Sequence, residues 1–236
     1  ELRWPILFST TSATHVLEPM AQIFARNNER LAGRLPNEDA QSFVFDASNL
    51  FERDKFSGFD RTEGGVRANV GLRYSGAYSN GWSAHALFGQ SYHLGGLNSF
   101  AQSDLVNAGA SSGLETNVSD YVGMFGVTYG ARFSFAARGR FDEKTFAVRR
   151  AEAEAALSGD RGSLNARYAF IQAQPLYGFS ADRHEVAGSV SAKINTNWRA
   201  FGSATYDLVS KTLVANSIGL SYDNECFTFS LTGSQT

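Results

Sequence analysis

One cysteine, two methionines and four prolines in 236 residues rule out several designs at once. The single Cys226 cannot build a disulfide framework within the chain, nor a zinc site of paired Cys-x-x-Cys motifs. The four histidines, His15, His85, His93 and His184, are scattered and none has an H-x-x-x-H spacing, so no metal site is expected. A Gly-rich phosphate loop is also missing, which removes nucleotide hydrolysis as an energy source, and no enzyme or cofactor is expected. Charge is nearly balanced, with 21 basic against 23 acidic residues, and without a basic surplus nothing marks the chain for nucleic acid. No run approaches the roughly 18 apolar residues of a membrane-spanning helix.

What the chain does have is alternation. Val186, Gly188, Val190, Ala192 and Ile194 share one parity, while Arg183, Glu185, Ser189, Ser191, Lys193 and Asn195 share the other. Phe133, Phe135, Ala137 and Phe141 alternate with Arg132, Ser134, Arg138 and Arg140, and Leu164, Ala166, Tyr168 and Phe170 with Ser163, Asn165 and Arg167. Successive side chains of a strand point to opposite faces, so each segment is a strand with one apolar and one wet side. A succession of such segments, each roughly ten residues long, is the pattern of an antiparallel up-and-down transmembrane β-barrel, an all-β fold. The slightly negative mean hydropathy agrees, because a polar interior face offsets an apolar exterior one.

Twelve strands are expected, over 2–10, 13–26, 63–75, 82–93, 118–129, 131–141, 145–158, 162–174, 183–195, 197–207, 212–223 and 226–234. Short turns near Thr11, 79–81, Gly130, 159–162, Thr196 and 224–225 alternate with the set that holds the longer connections, 27–62, 94–117 and 175–182. Short periplasmic turns and longer extracellular loops give a barrel this rhythm, whereas a soluble sandwich has no reason to keep it. Loop 27–62 carries Phe43-Val44-Phe45 and Asn49-Leu50-Phe51 and is expected to be folded; loop 94–117, rich in Gly, Ser and Asn, is expected to be more mobile. Pro5 and Pro19 predict a bend or bulge in the first two strands. Trp82, Tyr129, Trp198, Tyr206 and Tyr222, near strand ends and on apolar parity, suit the interfacial girdles of a barrel.

The wet parity is charged in the middle strands. A hairpin turning at Asp142-Glu143-Lys144 puts Arg132, Arg138 and Arg140 on the same face as Arg150, Glu152 and Glu154. Two readings stand side by side: a polar path or docking wall, and a solvated lumen whose charges balance for stability. Cys226 follows the short turn at Asn224-Glu225, on the side that the loop argument assigns to the oxidising periplasm. It is either half of a disulfide whose partner lies outside this chain or a free thiol packed in a strand. Glu1 starts without a leader and Gln235-Thr236 carries no terminal signal, so the chain reads as a fragment.

Several stretches go beyond a generic barrel. His15-Val-Leu-Glu-Pro-Met-Ala-Gln-Ile-Phe24 carries an L-E-P-x-A-Q element. Leu50-Phe-Glu-Arg-Asp-Lys-Phe-Ser-Gly-Phe-Asp-Arg61 leads into Glu63-Gly-Gly-Val-Arg-Ala-Asn-Val-Gly-Leu-Arg-Tyr74, and Ser217-Ile-Gly-Leu-Ser-Tyr222 precedes the Cys226 strand. In this order they resemble, over essentially the whole chain, the C-terminal barrel of the LptD family of LPS-assembly proteins (organic solvent tolerance proteins), closest to alphaproteobacterial members. The resemblance implies an outer-membrane translocon that moves lipopolysaccharide (LPS) from the periplasm into the outer leaflet. It implies a periplasmic jellyroll fed by the bridge protein LptA, a lipoprotein plug, LptE, in the lumen, and lateral exit between the first and last strands among outer-membrane lipids. On that reading residues 1–236 are one segment of a larger barrel, without the jellyroll and final strand. Cys226 matches the late-barrel cysteine that bonds to the N-terminal periplasmic region, with Glu225 where many members have a second cysteine. Arg132, Arg138, Arg150 and Arg167, with Glu152 and Glu154, become lumen-facing contacts for the anionic sugar chain or the plug.

Three other readings compete. A 12-strand autotransporter translocator matches in length, but such domains carry a helix ahead of the barrel and end on an aromatic residue. A porin-like channel has no use for a late cysteine, and a soluble β-sandwich would not need detergent. An open segment would expose unpaired strand edges and is not expected to insert alone.

Overall fold

In the computed structural model, residues 1–29, 34, 37–40, 43–103, 109–175 and 178–235 are described. Alternation becomes strand almost everywhere it was read. The strands are β1 (Leu2–Arg3), β2 (Ile6–Ser9), β3 (Ala13–Arg26), β4 (Gly65–Tyr78), β5 (Trp82–Gly95), β6 (Tyr121–Tyr129) and β7 (Phe133–Phe141). They continue as β8 (Val148–Gly159), β9 (Gly162–Ile171), β10 (Arg183–Lys193), β11 (Trp198–Asp207), β12 (Thr212–Asp223) and β13 (Thr228–Gln235). Each pairs with its neighbour in chain order in an antiparallel, up-and-down sheet, with β1 and β2 both on β3; among the described residues the sheet is not closed.

Thirteen strands replace the expected twelve because Pro5 splits the first. Leu2 and Arg3 pair with Ala21 and Met20, and Ile6 to Ser9 pair with Leu17 to Thr14, in one continuous register. Pro19 produces no bulge in the β3–β4 ladder, which runs unshifted from Ala13↔Tyr78 to Arg26↔Gly65. The physical reason lies in direction. The Pro19 carbonyl accepts from Trp4 N at 3.1 Å, so its missing N–H falls on the β1/β2 side and the β3–β4 ladder loses nothing. A register shift lies at Thr205/Tyr206, between β11 and β12. At Gly130 (φ +51°) the chain turns, which leaves Arg132 in the turn rather than in the strand expected from 131.

Cα partners align the two faces across strands. Leu157 opposes Leu164, Leu164 opposes Val190, and Ala192 opposes Ala200, building one apolar row. On the other face Ser158 opposes Ser163, Asn165 opposes Ser189, and Ser203 opposes Ser217. The apolar row is not buried: Val190 is 52% exposed and Ile218 75%. So much outward aliphatic surface needs a hydrocarbon solvent, which a bilayer supplies. Girdle pairs form at the short-turn end, where Trp82 packs on Tyr129 (centroids 5.1 Å) and Trp198 on Tyr222 (5.0 Å). Among the described residues no helix is long and apolar enough to cross a membrane.

Two compact units divide the chain. One comprises 1–80, 84–125 and 138–149; the other comprises 81–83, 126–137 and 150–236. The first has a conventional core, in which Phe45, Ala47, Leu50 and Phe56 from the loop before β4 meet Met20, Leu87, Val122, Phe100 and Leu114. Loop 27–62 is therefore folded, as its aromatics imply. The described part of the 94–117 loop is anchored too, through Phe100 and Leu114, and is more ordered than its Gly and Ser content suggests; residues 104–108 lie outside the described residues.

An arginine at position 190 would sit on the apolar row and should cost roughly 2–4 kcal/mol if it reaches mid-membrane. Val190→Arg is expected to lower folding yield and heat-modifiable mobility of the full-length protein in lipid, while Ser189→Arg, one residue away on the wet face, keeps both. Equal behaviour of the two variants would contradict the assignment of faces.

Candidate functional site

The wet face of the sheet is the candidate site, and the two units treat it differently. In the first unit the polar parity of β3, β4 and β5 places Gln22, Arg67, Asn69, Ser91 and His93 together, all buried. Asn69 Nδ2 donates to Gln22 Oε1 at 2.7 Å, Ser91 Oγ donates to Asn69 Oδ1 at 2.6 Å, and Arg67 Nη1 donates to Ser91 Oγ at 3.2 Å. Loop 27–62 supplies the cover. Leu50 and Phe51 lie flat on the sheet because Gly89 and Gly71 present no side chain there; a Cβ on Gly89 would stand 2.3 Å from Val70 O and 2.5 Å from Leu50.

Charge accompanies the loop into the interior. Glu63 lies 3.3 Å from Lys55 Nζ and 2.5 Å from Arg67 Nε, with all three side chains fully buried. Arg67 Nη2 also donates to Asn98 Oδ1 at 3.1 Å, and its guanidinium lies 5.2 Å from the Phe100 ring centroid. Arg61 Nε pairs with Glu29 at 2.9 Å, Arg61 Nη2 donates to Ser99 O at 2.7 Å, and the group covers Phe56. Burial pushes the Glu63 carboxyl above the usual carboxylate range and the Lys55 ammonium below its own, in each case against the pull of the other. Burying such a network is a costly way to add stability, and its geometry ties the seating of the loop to Arg67.

The middle-strand charges separate. Arg138 reaches Asp46 at 3.7 Å, while Arg140 pairs with Asp120 at 3.3 Å and donates to Ser112 O, so both serve the loops of the first unit. At the hairpin tip Asp142 accepts from Thr145 N at 2.8 Å and from Lys144 N at 3.0 Å and pairs with Arg149; these bonds hold its carboxyl well below the usual range. In the second unit Arg150 pairs along its own strand with Glu152 at 2.7 Å, and Glu154 stands directly opposite Arg167. Arg132 is exposed in its turn. Cys226 is an exposed free thiol in the bend before β13, two residues ahead of Thr228, where the strand expected from 226 begins; its amide donates to Asn224 Oδ1 at 2.9 Å.

The ends of β10–β12 add Arg183, Glu185, Lys193, Arg199, Asp207 and Asp223 to the wet parity, and between them the wet face of β9–β12 carries hydroxyl and amide groups. Ser163 and Ser191 are 3.0 Å apart, Asn165 Nδ2 donates to Ser189 at 3.3 Å, and Ser203 and Ser217 are 2.8 Å apart. The histidines contact aromatic and backbone groups: His15 meets Tyr74 OH at 2.8 Å, His184 meets Tyr168 OH at 2.8 Å, and His93 meets Gly96 O at 3.2 Å. Such a surface can hydrogen-bond a hydrated polyol on one side while its back faces lipid.

Against known proteins, residues 1–198 match the family model of LptD, LPS transport system D. The chain belongs to the LptD family. It is therefore an outer-membrane β-barrel protein of the LPS-transport system, and the match does not favour an autotransporter or a porin-like channel. A comparison with curated proteins gives no match. β12, β13 and Cys226 lie beyond the matched stretch. The L-E-P-x-A-Q element falls within β3, and the Leu50–Arg61 motif is the cover itself, contributing Leu50, Lys55, Phe56 and Arg61. Reading from the residues alone missed the Lys55–Glu63–Arg67 network. The available signal was a pair of polar residues, Arg67 and Asn69, in a strand that follows a loop with its own Lys and Glu.

Glu63→Ala would leave two cations buried without their carboxylate, at a cost of about 3–5 kcal/mol, whereas Lys55→Met leaves Glu63 its pair with Arg67 at 2.5 Å and should cost less. Limited proteolysis of folded protein in lipid is the readout. The loop becomes cleavable in Glu63→Ala and stays protected in Lys55→Met; equal protection in both would remove the network from the seating of the loop.

Proposed function

We propose that this LptD-family barrel segment forms part of the wall along which LPS passes from the periplasm into the outer leaflet, with the short turns facing the periplasm. The observation that carries the reading is the two-faced sheet of the second unit, apolar and exposed on one side, lined with hydroxyl and amide groups on the other. An amphiphile with acyl chains and a hydrated sugar needs both solvents along one route, and a strand offers them at alternate residues. Arg150, Arg167 and Arg132, balanced in part by Glu152 and Glu154, contact the anionic sugar chain or a plug lipoprotein, LptE; Arg138 is shared with Asp46 of the loop. LPS reaches the barrel through a periplasmic jellyroll from the bridge protein LptA. Residues 1–236 act as one segment of a larger barrel completed by a final strand, and the route is passive, with direction set by upstream pumping.

Reversing Arg150 and Arg167 together (R150E/R167E) in the full-length protein should reduce surface LPS several-fold, or release the plug during purification, at unchanged barrel abundance. Unchanged surface LPS and plug retention would sink the assignment of these side chains.

Cys226 forms a disulfide with the N-terminal periplasmic region, beside the Asn224 turn that presents its exposed thiol. On non-reducing gels the full-length protein should run as an oxidised species that dithiothreitol shifts. Cys226→Ser abolishes that shift; a shift retained in the variant would place the bond elsewhere.

A further inference from the structure

The short-turn end of the second unit carries cations that the established pairing leaves over. Arg132 precedes β7, Arg161 lies in the turn between β8 and β9, Lys193 ends β10, and Arg199 follows the start of β11. All four are on the wet parity of their strands and all are exposed. The ladders bring them into one row: Ser158 N donates to Arg132 O at 2.7 Å, Lys193 N donates to Arg161 O at 2.8 Å, and Lys193 is the Cα partner of Arg199. By contrast, the short turns at 10–12 and 79–81 carry no charged residue.

Five other arginines of the wet face have carboxylates within ion-pairing distance: Arg73 has Glu18, Arg67 has Glu63, Arg138 has Asp46, Arg140 has Asp120 and Arg150 has Glu152. Among the described residues none of the four rim cations has one within ion-pairing distance. Lys193 opposite Arg199 is a like-charge pair, which disfavours folding unless something anionic sits between them. A cavity of about 250 Å³ adjoins this pair, lined also by Asn195, Asn197, Ser221 and Asp223. Its floor is preset. Asn195 Oδ1 accepts from Asn197 N and Trp198 N at 2.9 and 2.8 Å, Asn197 Nδ2 donates to Asp223 O at 2.9 Å, and Asp223 accepts from Thr228 Oγ1 at 2.8 Å.

We propose that this rim is a binding site for a phosphorylated saccharide, the phosphate held between Lys193 and Arg199 with Arg161 and Arg132 beside it, and sugar hydroxyls on Asn195, Ser221 and the Asp223 carboxylate. Cations alone would fit any anion; cations beside amides, a hydroxyl and one carboxylate fit a phosphate attached to a polyol. Asp223 and the turn residue Asp160 also keep the rim from holding every passing anion. The site rests on the LPS reading above and deepens it, because it assigns where the phosphorylated part of the glycolipid first meets the barrel wall.

The test measures LPS binding to the full-length protein in lipid nanodiscs, with intact LPS, phosphatase-treated LPS and inorganic phosphate as probes. Neutralising the pair (K193Q/R199Q) should weaken intact LPS roughly tenfold or more, a loss typical of a charge-assisted contact. Phosphatase-treated LPS should bind the parent as weakly as intact LPS binds the variant, and K193R/R199K should restore affinity, with heat-modifiable mobility checking that each variant folds. Equal affinity of parent and variant for intact LPS overturns the site and leaves the LPS reading standing. No binding of LPS by the parent overturns both. Competition by inorganic phosphate as strong as by intact LPS makes this a free-phosphate site and overturns the saccharide assignment. Equal binding of treated and intact LPS to the parent, with an acidic protein lost from the purified variant, makes the rim a protein dock and overturns the proposal.

Discussion

In hydrocarbon no water is available to a stray amide, so every backbone group of a membrane-crossing strand must find its partner in the adjoining strand. Much else in this sheet follows from keeping the ladders whole. Proline is admitted where it removes a donor from the short β1/β2 ladder, and the long β3–β4 ladder beside it keeps a single register. The register shift at Thr205/Tyr206 lies close to the end of β11. Once the ladders hold, parity is no longer free: fixing Leu164 against Val190 fixes Asn165 against Ser189. One constraint on the backbone therefore sorts the side chains of β8 to β13 into an apolar row and a wet row.

The same parity then meets two outcomes, and connection length separates them. In the first unit the described part of the connection between β3 and β4 reaches back over the wet face and brings Lys55 and Glu63 to Arg67. Gly71 and Gly89 leave room for that approach, so the cover is written into the strands as well as into the loop. Buried charge is an inefficient way to stabilise it, as the shifts at Glu63 and Lys55 attest, but it discriminates: a loop seated one residue out would strand ions rather than methyl groups. In the second unit the link 208–211 is too short to cover anything, and hydroxyls on the wet face bond to one another across strands.

Most of the strand layout was legible because period-two alternation is local and survives any tertiary arrangement; β3 (Ala13–Arg26) and β12 (Thr212–Asp223) carry the bounds read from sequence. What was not legible depends on partners distant in the chain. Phe43 and Phe45 announce a folded loop, yet nothing local says which face it covers; that is decided by Gly71 and Gly89, some tens of residues on. Arg138 and Arg150 share a parity and invite one reading, but Arg138 meets Asp46 and Arg150 meets Glu152, because loop carboxylates reach only part of the face. In loop 94–117 composition is silent about the anchors for a related reason. Gly and Ser report the freedom of the unfolded chain, while the two anchors, Phe100 and Leu114, determine how it is held.

A route for an anionic glycolipid faces opposing demands, since a wall that binds strongly everywhere holds its cargo and a wall that binds nowhere does not recruit it. The charge pattern of the second unit meets both. Within the strands Arg150 pairs with Glu152 and Arg167 stands opposite Glu154, and the surface between carries the hydroxyl and amide groups of Ser163, Asn165, Ser189 and Ser191. At the short-turn end the cancellation stops, and Lys193 faces Arg199 with no acid between them. Placing unbalanced charge at one end of a neutral surface gives an anion a place to arrive without giving it a place to stay. On the proposed route an end of this kind would recruit the glycolipid, and the weakly binding surface beyond it would let the cargo move on.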